Sequence, residues 1–223
     1  MNARELELDY FQIYDVANQW VREAAVLKDQ FDREPERGRV LFLDWFANPV
    51  SKNDEPFHDK TAHLTGYYLY QSIPDPIRRV ILENQFGRHK IIIGRASRLL
   101  TPAAKRIKEE MLFCRELSHY RVYQVLEGEP LKEEVKLQDQ FGASEGVVTY
   151  PYGFAVPVEK EHEGRHYPIY NEKAHLMLYR LRAGSTRRGV AIADQFGRYY
   201  LGIYWPVLLA VPSLKLEWSV MEE

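Results

Sequence analysis

Asp139-Gln140-Phe141-Gly142 is one of four occurrences of a single short pattern, the others being Asp29-Gln30-Phe31-Asp32, Asn84-Gln85-Phe86-Gly87 and Asp194-Gln195-Phe196-Gly197. The phenylalanines stand at 31, 86, 141 and 196, 55 residues apart each time. Two further anchors keep step with them. A proline three residues before a lysine follows each occurrence: Pro49 and Lys52, Pro102 and Lys105, Pro157 and Lys160, Pro212 and Lys215. A short aromatic stretch ending in tyrosine precedes each one: DYFQIY to Tyr14, TGYYLY to Tyr70, SHYRVY to Tyr123 and AHLMLY to Tyr179. Three anchors in one order, four times over, mark a repeat architecture in which no unit buries its apolar face alone.

Working outward from the motif, each unit reads as strands. Counting back from Phe in twos gives Asp139, Leu137, Val135; Asp194, Ile192, Val190; Asn84, Leu82, Val80; and Asp29, Leu27, Ala25. That period of two places two apolar residues, an Asp or Asn and the Phe on one strand face. The Asp or Asn is expected to bond backbone in the turn, and Gly to close it at positive φ, with Asp32 tolerating the same conformation in the first unit. A third strand follows at Lys90–Ile93, Gly146–Tyr150 and Tyr199–Tyr204, and a fourth piece ends at the Pro. The units run approximately over 8–52, 63–105, 117–160 and 173–215. The connections differ: 51–62 and 160–173 read as polar loops, whereas 103–117 carries Ile107, Met111 and Leu112 near helical spacing and is expected to be a short helix.

The expected fold class is therefore all-β, with four pseudo-symmetric units closing either as a small propeller-like ring or as two paired-repeat barrels or sandwiches. The uniform Phe spacing favours the ring. A helix at the midpoint favours pairs, and with it two domains, 1–105 and 117–223.

The order of these anchors resembles an uncharacterised bacterial and archaeal repeat domain, in which an Asp-His-Phe-x-x-Tyr strand precedes an Asp-Gln-Phe-Gly turn and a Leu-x-x-Pro-x-x-Lys segment. The resemblance covers essentially all 223 residues as four tandem units. It is specific at the turn and at the Pro-Lys end, and weaker at the first strand, where Tyr10, Gly66, His119 and His175 stand in the family's His position. It implies a β-repeat domain of unknown function, often part of secreted or surface-associated proteins, and no activity.

Composition narrows the function classes. The chain is 45% apolar and 28% charged, as in a globular protein, and its net charge of −2 gives no overall attraction to nucleic acid or membrane. Cys114 is the single cysteine, so neither an intrachain disulfide nor a Cys-based metal site is expected. The start, MNARELELDYFQIYDV, lacks a basic segment followed by an apolar one, and no run approaches the ~18 apolar residues of a membrane helix. The expected location is cytoplasmic as the chain stands, or surface or extracellular if a leader is missing.

Because Asp29, Asn84, Asp139 and Asp194 recur with Phe31, Phe86, Phe141 and Phe196, they read as structural anchors rather than acid–base groups. His119 and His175 likewise read as packed strand residues, and Lys52, Lys105, Lys160 and Lys215 as groups that satisfy carbonyls or stay in water. Glu161-His162-Glu163 with His166 offers a His-x-x-x-His spacing, but Gly164 and Pro168 make it a loop, so no metal or other cofactor is expected. Charge is the feature that does not repeat. Between Arg78 and Lys108 nine basic residues face one acid, Glu83. Arg88, Lys90, Arg95 and Arg98 form a candidate anion patch within it, unless acids of the third unit (Glu127, Glu129, Glu133, Glu134) balance it.

No catalytic constellation is evident. The leading expectation is a non-catalytic binding or scaffold module presenting loops on a rigid β body, its partner unknown, a protein or an anionic polymer. The alternative is anion or nucleic-acid binding through the basic second unit, and the third is a hydrolase with a cleft between units.

Overall fold

The computed structural model describes residues 6–107, 110–112 and 116–221. Its strands are β1 (Tyr10–Asp29), β2 (Glu36–Lys52), β3 (His63–Gln71), β4 (Arg78–Asn84), β5 (Gly87–Ile107), β6 (Glu110–Leu112), β7 (His119–Glu127), β8 (Glu133–Asp139), β9 (Gly142–His162), β10 (Arg165–Tyr167), β11 (His175–Ala183), β12 (Arg188–Asp194), β13 (Gly197–Ile203) and β14 (Pro206–Val220). The fold is all-β, and no α-helix occurs among the described residues.

Among the described residues of 103–117 the expected helix is not seen. Residues 103–107 continue β5, and 110–112 form β6, paired back onto 105–107. The reason is tertiary. β5 is held on one side by β3 (His63↔Ala103) and on the other by β12 (Ile192↔Lys105), so sheet pairing overrides the local helical spacing. Residues 108, 109 and 113–115, Cys114 among them, lie outside the described residues.

Antiparallel pairing runs β1–β2–β3–β5–β7–β9–β11–β14 and back to β1, a closed ring of strands. Closure removes the open edges along which a sheet aggregates. Side chains alternate across the ring. Phe11, Ile13, Trp45, Ala47, Leu64, Leu100, Tyr120, Val122, Ala155, Leu176, Leu178, Leu208 and Ala210 come from all of these strands and form one buried cluster, which is the ring's interior. The alternate residues, among them Tyr14, Phe46, Tyr67, Leu99, Tyr123, Phe154, Tyr179 and Leu209, face outward into a second core. That outer core is completed by the motif strands, whose Leu27, Val80, Leu82, Val135, Leu137, Val190 and Ile192 are buried as the period of two predicts.

Each motif strand crosses to the far side of the molecule. The end of β1 pairs with the end of β9, β8 with the end of β2, β4 with the end of β14, and β12 with the end of β5. The first motif stretch therefore interlocks with the third, and the second with the fourth.

The four phenylalanines have like surroundings. Each ring meets a tyrosine edge-on: Phe31 with Tyr123 at 5.4 Å, Phe86 with Tyr179 at 5.5 Å, Phe141 with Tyr14 at 5.7 Å and Phe196 with Tyr67 at 4.8 Å between centroids. Such pairs contribute about 0.5–1.5 kcal/mol each beyond area burial. The Asp or Asn serves both the turn and the partner. Its Oδ1 accepts the Phe N–H at 2.7–2.9 Å in all four cases. Its other side-chain atom reaches the same tyrosine: Tyr14 Oη donates to Asp139 (2.9 Å), Tyr67 Oη to Asp194 (2.5 Å) and Tyr123 Oη to Asp29 (2.8 Å), while Asn84 Nδ2 donates to Tyr179 Oη (2.9 Å).

These contacts correct the register of the second unit. Its motif tyrosine is Tyr67, not Tyr70, which is exposed, and the position of Tyr10, His119 and His175 is held by His63, not Gly66. Gly66 instead allows close strand packing. It lies directly opposite Trp45, and a Cβ there would sit 2.7 Å from the Trp45 Cβ.

Two other expectations also change. The lysines do more than satisfy carbonyls or stay in water, although Lys215 does donate to the side-chain carbonyl of Gln30 and Lys52 pairs with Glu55. Lys52, Lys105, Lys160 and Lys215 lie over Phe86, Phe141, Phe196 and Phe31 at 5.8, 4.3, 5.1 and 5.4 Å, each reaching the motif after its own in cyclic order. Asp32 is not in the left-handed region that Gly87 (φ 112°) and Gly142 (φ 131°) occupy, because the first motif opens into a longer loop before β2. There Asp32 accepts the Asp29 N–H and ion-pairs with the buried Arg121 at 2.9 Å.

Candidate functional site at the end of the ring

Residues shared by all four motifs hold shape, so a functional surface is sought where equivalent positions carry different side chains. One end of the ring's interior is plugged by apolar residues, Leu6, Leu8, Ala62, Leu117 and Ala174. At the other end the residue after each motif tyrosine is Asp15, Tyr68, Gln124 or Arg180. Four equivalent positions thus carry an acid, an aromatic, an amide and a base.

These side chains build a continuous band. Trp20, 63% exposed, meets Phe42 edge-on at 5.1 Å, and Phe42 stacks on Tyr68 at 5.2 Å. The Arg98 guanidinium lies between Tyr68 (4.9 Å) and Trp45 (5.0 Å). Trp45 meets Tyr152 at 5.9 Å, and Arg180 covers Tyr152 at 4.1 Å. The band crosses β1, β2, β3, β5, β9 and β11. Local sequence explains part of it: register shifts in β1 between Asp15 and Glu23, and in β2 around Leu43, break strict alternation there and re-aim the side chains.

Its electrostatics are preset. Arg98 donates to both carboxylate oxygens of Asp44, Nε at 3.2 Å and Nη2 at 2.8 Å, a fork that fixes the guanidinium plane against the two rings. Burial pushes the Asp44 carboxyl up from its ordinary value, and Arg98 opposes that. Asp15 is also raised by burial, opposed by a hydrogen bond from Trp45 and by the charges of Arg180 and Arg98. The outcome is a rigid strip in which Phe42, Tyr68, Arg98 and Tyr152 are partly exposed, Trp20 and Arg180 are exposed at its ends, and the buried Trp45 of the ring's interior backs it.

Of the sequence-derived anion patch, Arg98 is therefore committed to Asp44. Arg88 and Lys90 are exposed near the start of β5, with Glu83 directly across from Arg88 and Glu217 at 3.9 Å from it. Arg95 is also exposed. Arg98 lies eight residue steps beyond Lys90, about 26 Å along an extended strand, so the four cations do not converge on one small ligand. Acids beside these cations include Asp44, Glu83 and Glu217, and of the third unit's acids Glu127 lies opposite Ile92 on β5 and the charge of Glu129 acts on His89. Arg180, Trp45, Tyr68 and Tyr152 do not stand out in the sequence, because only the ring brings them together.

The motif histidines and glutamines are structural in their contacts. His63 Nδ1 bonds the Thr61 carbonyl at 2.9 Å, which leaves Nε2 to accept from the Gln140 amide at 2.9 Å. His175 does the same with the Lys173 carbonyl and Gln30. Burial lowers both rings to about 4 and His119 well below its ordinary value, so all three stay neutral. Burial also lowers Lys105 and Lys160 to about 7, against the pull of Asp139 and Asp194 respectively.

A cleft of about 1100 Å³ lies elsewhere, lined by Asn53, Asp54, Glu134, Lys136, Glu145 and Arg182 among others. Acids and bases alternate there on an open surface. Asn53 Oδ1 accepts the Lys136 N–H there at 2.9 Å. Among the described residues no helix is long and apolar enough to cross a membrane.

A family model described as a repeat of unknown function (DUF7450) matches residues 63–212. No curated protein and no solved structure matches the chain.

Proposed function

We propose a binding role for this chain, which belongs to the family of repeats of unknown function (DUF7450). In this reading four copies of one unit close into the ring, opposite copies interlocked, and the body serves as a rigid, non-catalytic scaffold. Its partner is a protein segment, and the contact surface is the band from Trp20 to Arg180. The observation that carries the reading is the composition and placement of that band. Trp, Tyr and Arg are the residues that dominate binding energy at protein interfaces. Here they are held by stacking and by the Asp44 fork, which lowers the ordering cost of association. The band is a surface rather than a cavity, which suits a protein partner over a small molecule.

The experiment is selection of a displayed random peptide library on the full chain, followed by binding measurements on the selected peptides. Tyr68→Ala and Arg180→Ala are each expected to weaken them at least about tenfold, as loss of a central anchor does. Peptides that bind wild type and both variants equally would refute the assignment. The second reading, anion or nucleic-acid binding, rests on the exposed Arg88, Lys90 and Arg95. Salt-dependent oligonucleotide binding that survives Tyr68→Ala and fails on replacing those three by Ala would favour it.

A further inference from the structure

The His-x-x-x-His stretch does not pair with itself. β9 and β10 form a hairpin in which His162 lies opposite Arg165, and His166 opposite Glu161. Cross-strand partners share a face and neighbours alternate, so His162 and His166 point to opposite faces. His166 turns to Glu159, its Nε2 3.0 Å from the carboxylate.

His162 meets another strand instead. The pairing of β1 with β9 runs from Asp29↔Val158 to Val26↔Glu161. Continued one step, the register sets His162 against Ala25, on the face that also carries Glu23, two residues further along β1. The ligand atoms of Glu23, His162 and Glu163 all lie within 4.8 Å of one another. His162 is buried, and its Nδ1–H donates to the Ala24 carbonyl at 3.0 Å. With Nδ1–H committed to that carbonyl, Nε2 is the nitrogen left with a lone pair for a ligand, the arrangement of most metal-ligating histidines. Glu163 sits in the hairpin turn at φ 49°, a left-handed conformation uncommon outside glycine, which fixes where its side chain leaves the chain.

We propose that Glu23, His162 and Glu163 form a binding site for a divalent first-row transition cation such as zinc. One imidazole nitrogen and two carboxylates suit such ions better than calcium or magnesium, which take oxygen ligands. The three groups supply three protein ligands and leave an open position. Ligand atoms around a tetrahedral zinc stand about 3.3 Å apart, so the glutamates close inward by about 1.5 Å on binding. Both are on flexible arms, Glu163 exposed and Glu23 partly so. Glu23 borders an open groove of about 930 Å³ that Arg22, Arg37 and Arg39 also line.

The trio occurs once. The counterparts of His162, two residues after the motif lysine, are Asp54, Ile107 and Glu217. Those of Glu23, six before the motif Asp or Asn, are Arg78, Glu133 and Arg188. Shape does not require these residues at those positions, which separates them from the shared anchors.

The test is calorimetric titration of the chelator-treated full chain with zinc chloride, and separately with manganese chloride. One equivalent of zinc is expected to bind with a dissociation constant of about 10 μM or tighter, manganese more weakly. Glu23→Gln and Glu163→Gln, conservative changes on accessible side chains, are each expected to weaken zinc at least tenfold, and His162→Gln further. His166→Ala is expected to leave it unchanged. Circular dichroism checks that each variant is folded, and a zinc-dependent shift of the His162 imidazole nitrogen resonances reads the site directly. No saturable equivalent below about 1 mM, undiminished binding by the two glutamine variants, or loss of binding in His166→Ala would each overturn the proposal.

Discussion

Replacing the four motif tyrosines one at a time by phenylalanine tests the interlock, because it deletes one hydroxyl and keeps the ring against its phenylalanine. Tyr14, Tyr67 and Tyr123 donate to the carboxylates of Asp139, Asp194 and Asp29, whereas Tyr179 receives a bond from the neutral amide of Asn84. Three of the pairs are buried, and in the fourth Tyr67 is buried while Asp194 is partly exposed. A hydrogen bond to a charged group contributes about 1.5–3 kcal/mol and a neutral one about 0.5–1.5 kcal/mol. The carboxylates keep other donors: Asn48 for Asp139, Thr65 for Asp194 and Arg121 for Asp29. Asn84 keeps Ser213. Tyr14→Phe, Tyr67→Phe and Tyr123→Phe are therefore expected to cost about 2 kcal/mol each, and Tyr179→Phe about 1. Urea unfolding followed by far-ultraviolet circular dichroism at pH 8 measures this, with an unchanged m-value confirming that the native state is intact. All four costs below about 0.5 kcal/mol, or Tyr179→Phe as the largest, would refute the account of the motif.

Three further outcomes follow from the same geometry. Gly66→Ala places a Cβ against that of Trp45 and is expected to destabilise by about 1–3 kcal/mol, read as a lower urea midpoint. His63 and His175 have folded values near 4 against 6.5, so between those values the unfolded chain binds more protons and stability falls as pH drops from 6.5 to 4. Each ring accounts for about 3 kcal/mol of that loss. Asp29 and Asp194, raised by burial, act in the opposite direction, so the quantity to compare is wild type minus the His63→Asn, His175→Asn double variant; equal pH profiles would sink the assignment. Lys105 is lowered to about 7 from 10.5, so the unfolded chain binds its proton over that interval and stability rises with pH between those values. Lys105→Met is expected to flatten that rise, and an unchanged slope would show that the lysine is not desolvated.

The repeat, the all-β class and the alternation of the motif strands are legible because each depends on spacing within a few residues. The second unit's first strand is ambiguous because TGYYLY offers several tyrosines, and only the partner at Asp194 selects Tyr67. Residues 103–107 carry helix-compatible side chains, and the neighbours that make them a strand, His63 and Ile192, are far away in sequence. The crossing of first motif to third and second to fourth has no local signal, since equivalent motifs are interchangeable on paper. The band at the ring's end is hidden for a related reason: Asp15, Tyr68, Gln124 and Arg180 are ordinary singly and become a surface only when the strands close. The spacing around His162 suggests the wrong neighbour, His166, because Glu23 lies far back in the chain.

The crossed interlock constrains how such proteins can be divided. Every bond between a motif tyrosine and its Asp or Asn runs between the chain's two halves, so a fragment holding only the first two motifs would have each hydroxyl and each carboxylate or amide unmatched. Two identical fragments related by a twofold axis could restore every such match, each motif meeting its own copy. A two-motif chain of this kind would be stable only as an obligate homodimer, whereas joining the halves covalently makes the same assembly independent of concentration.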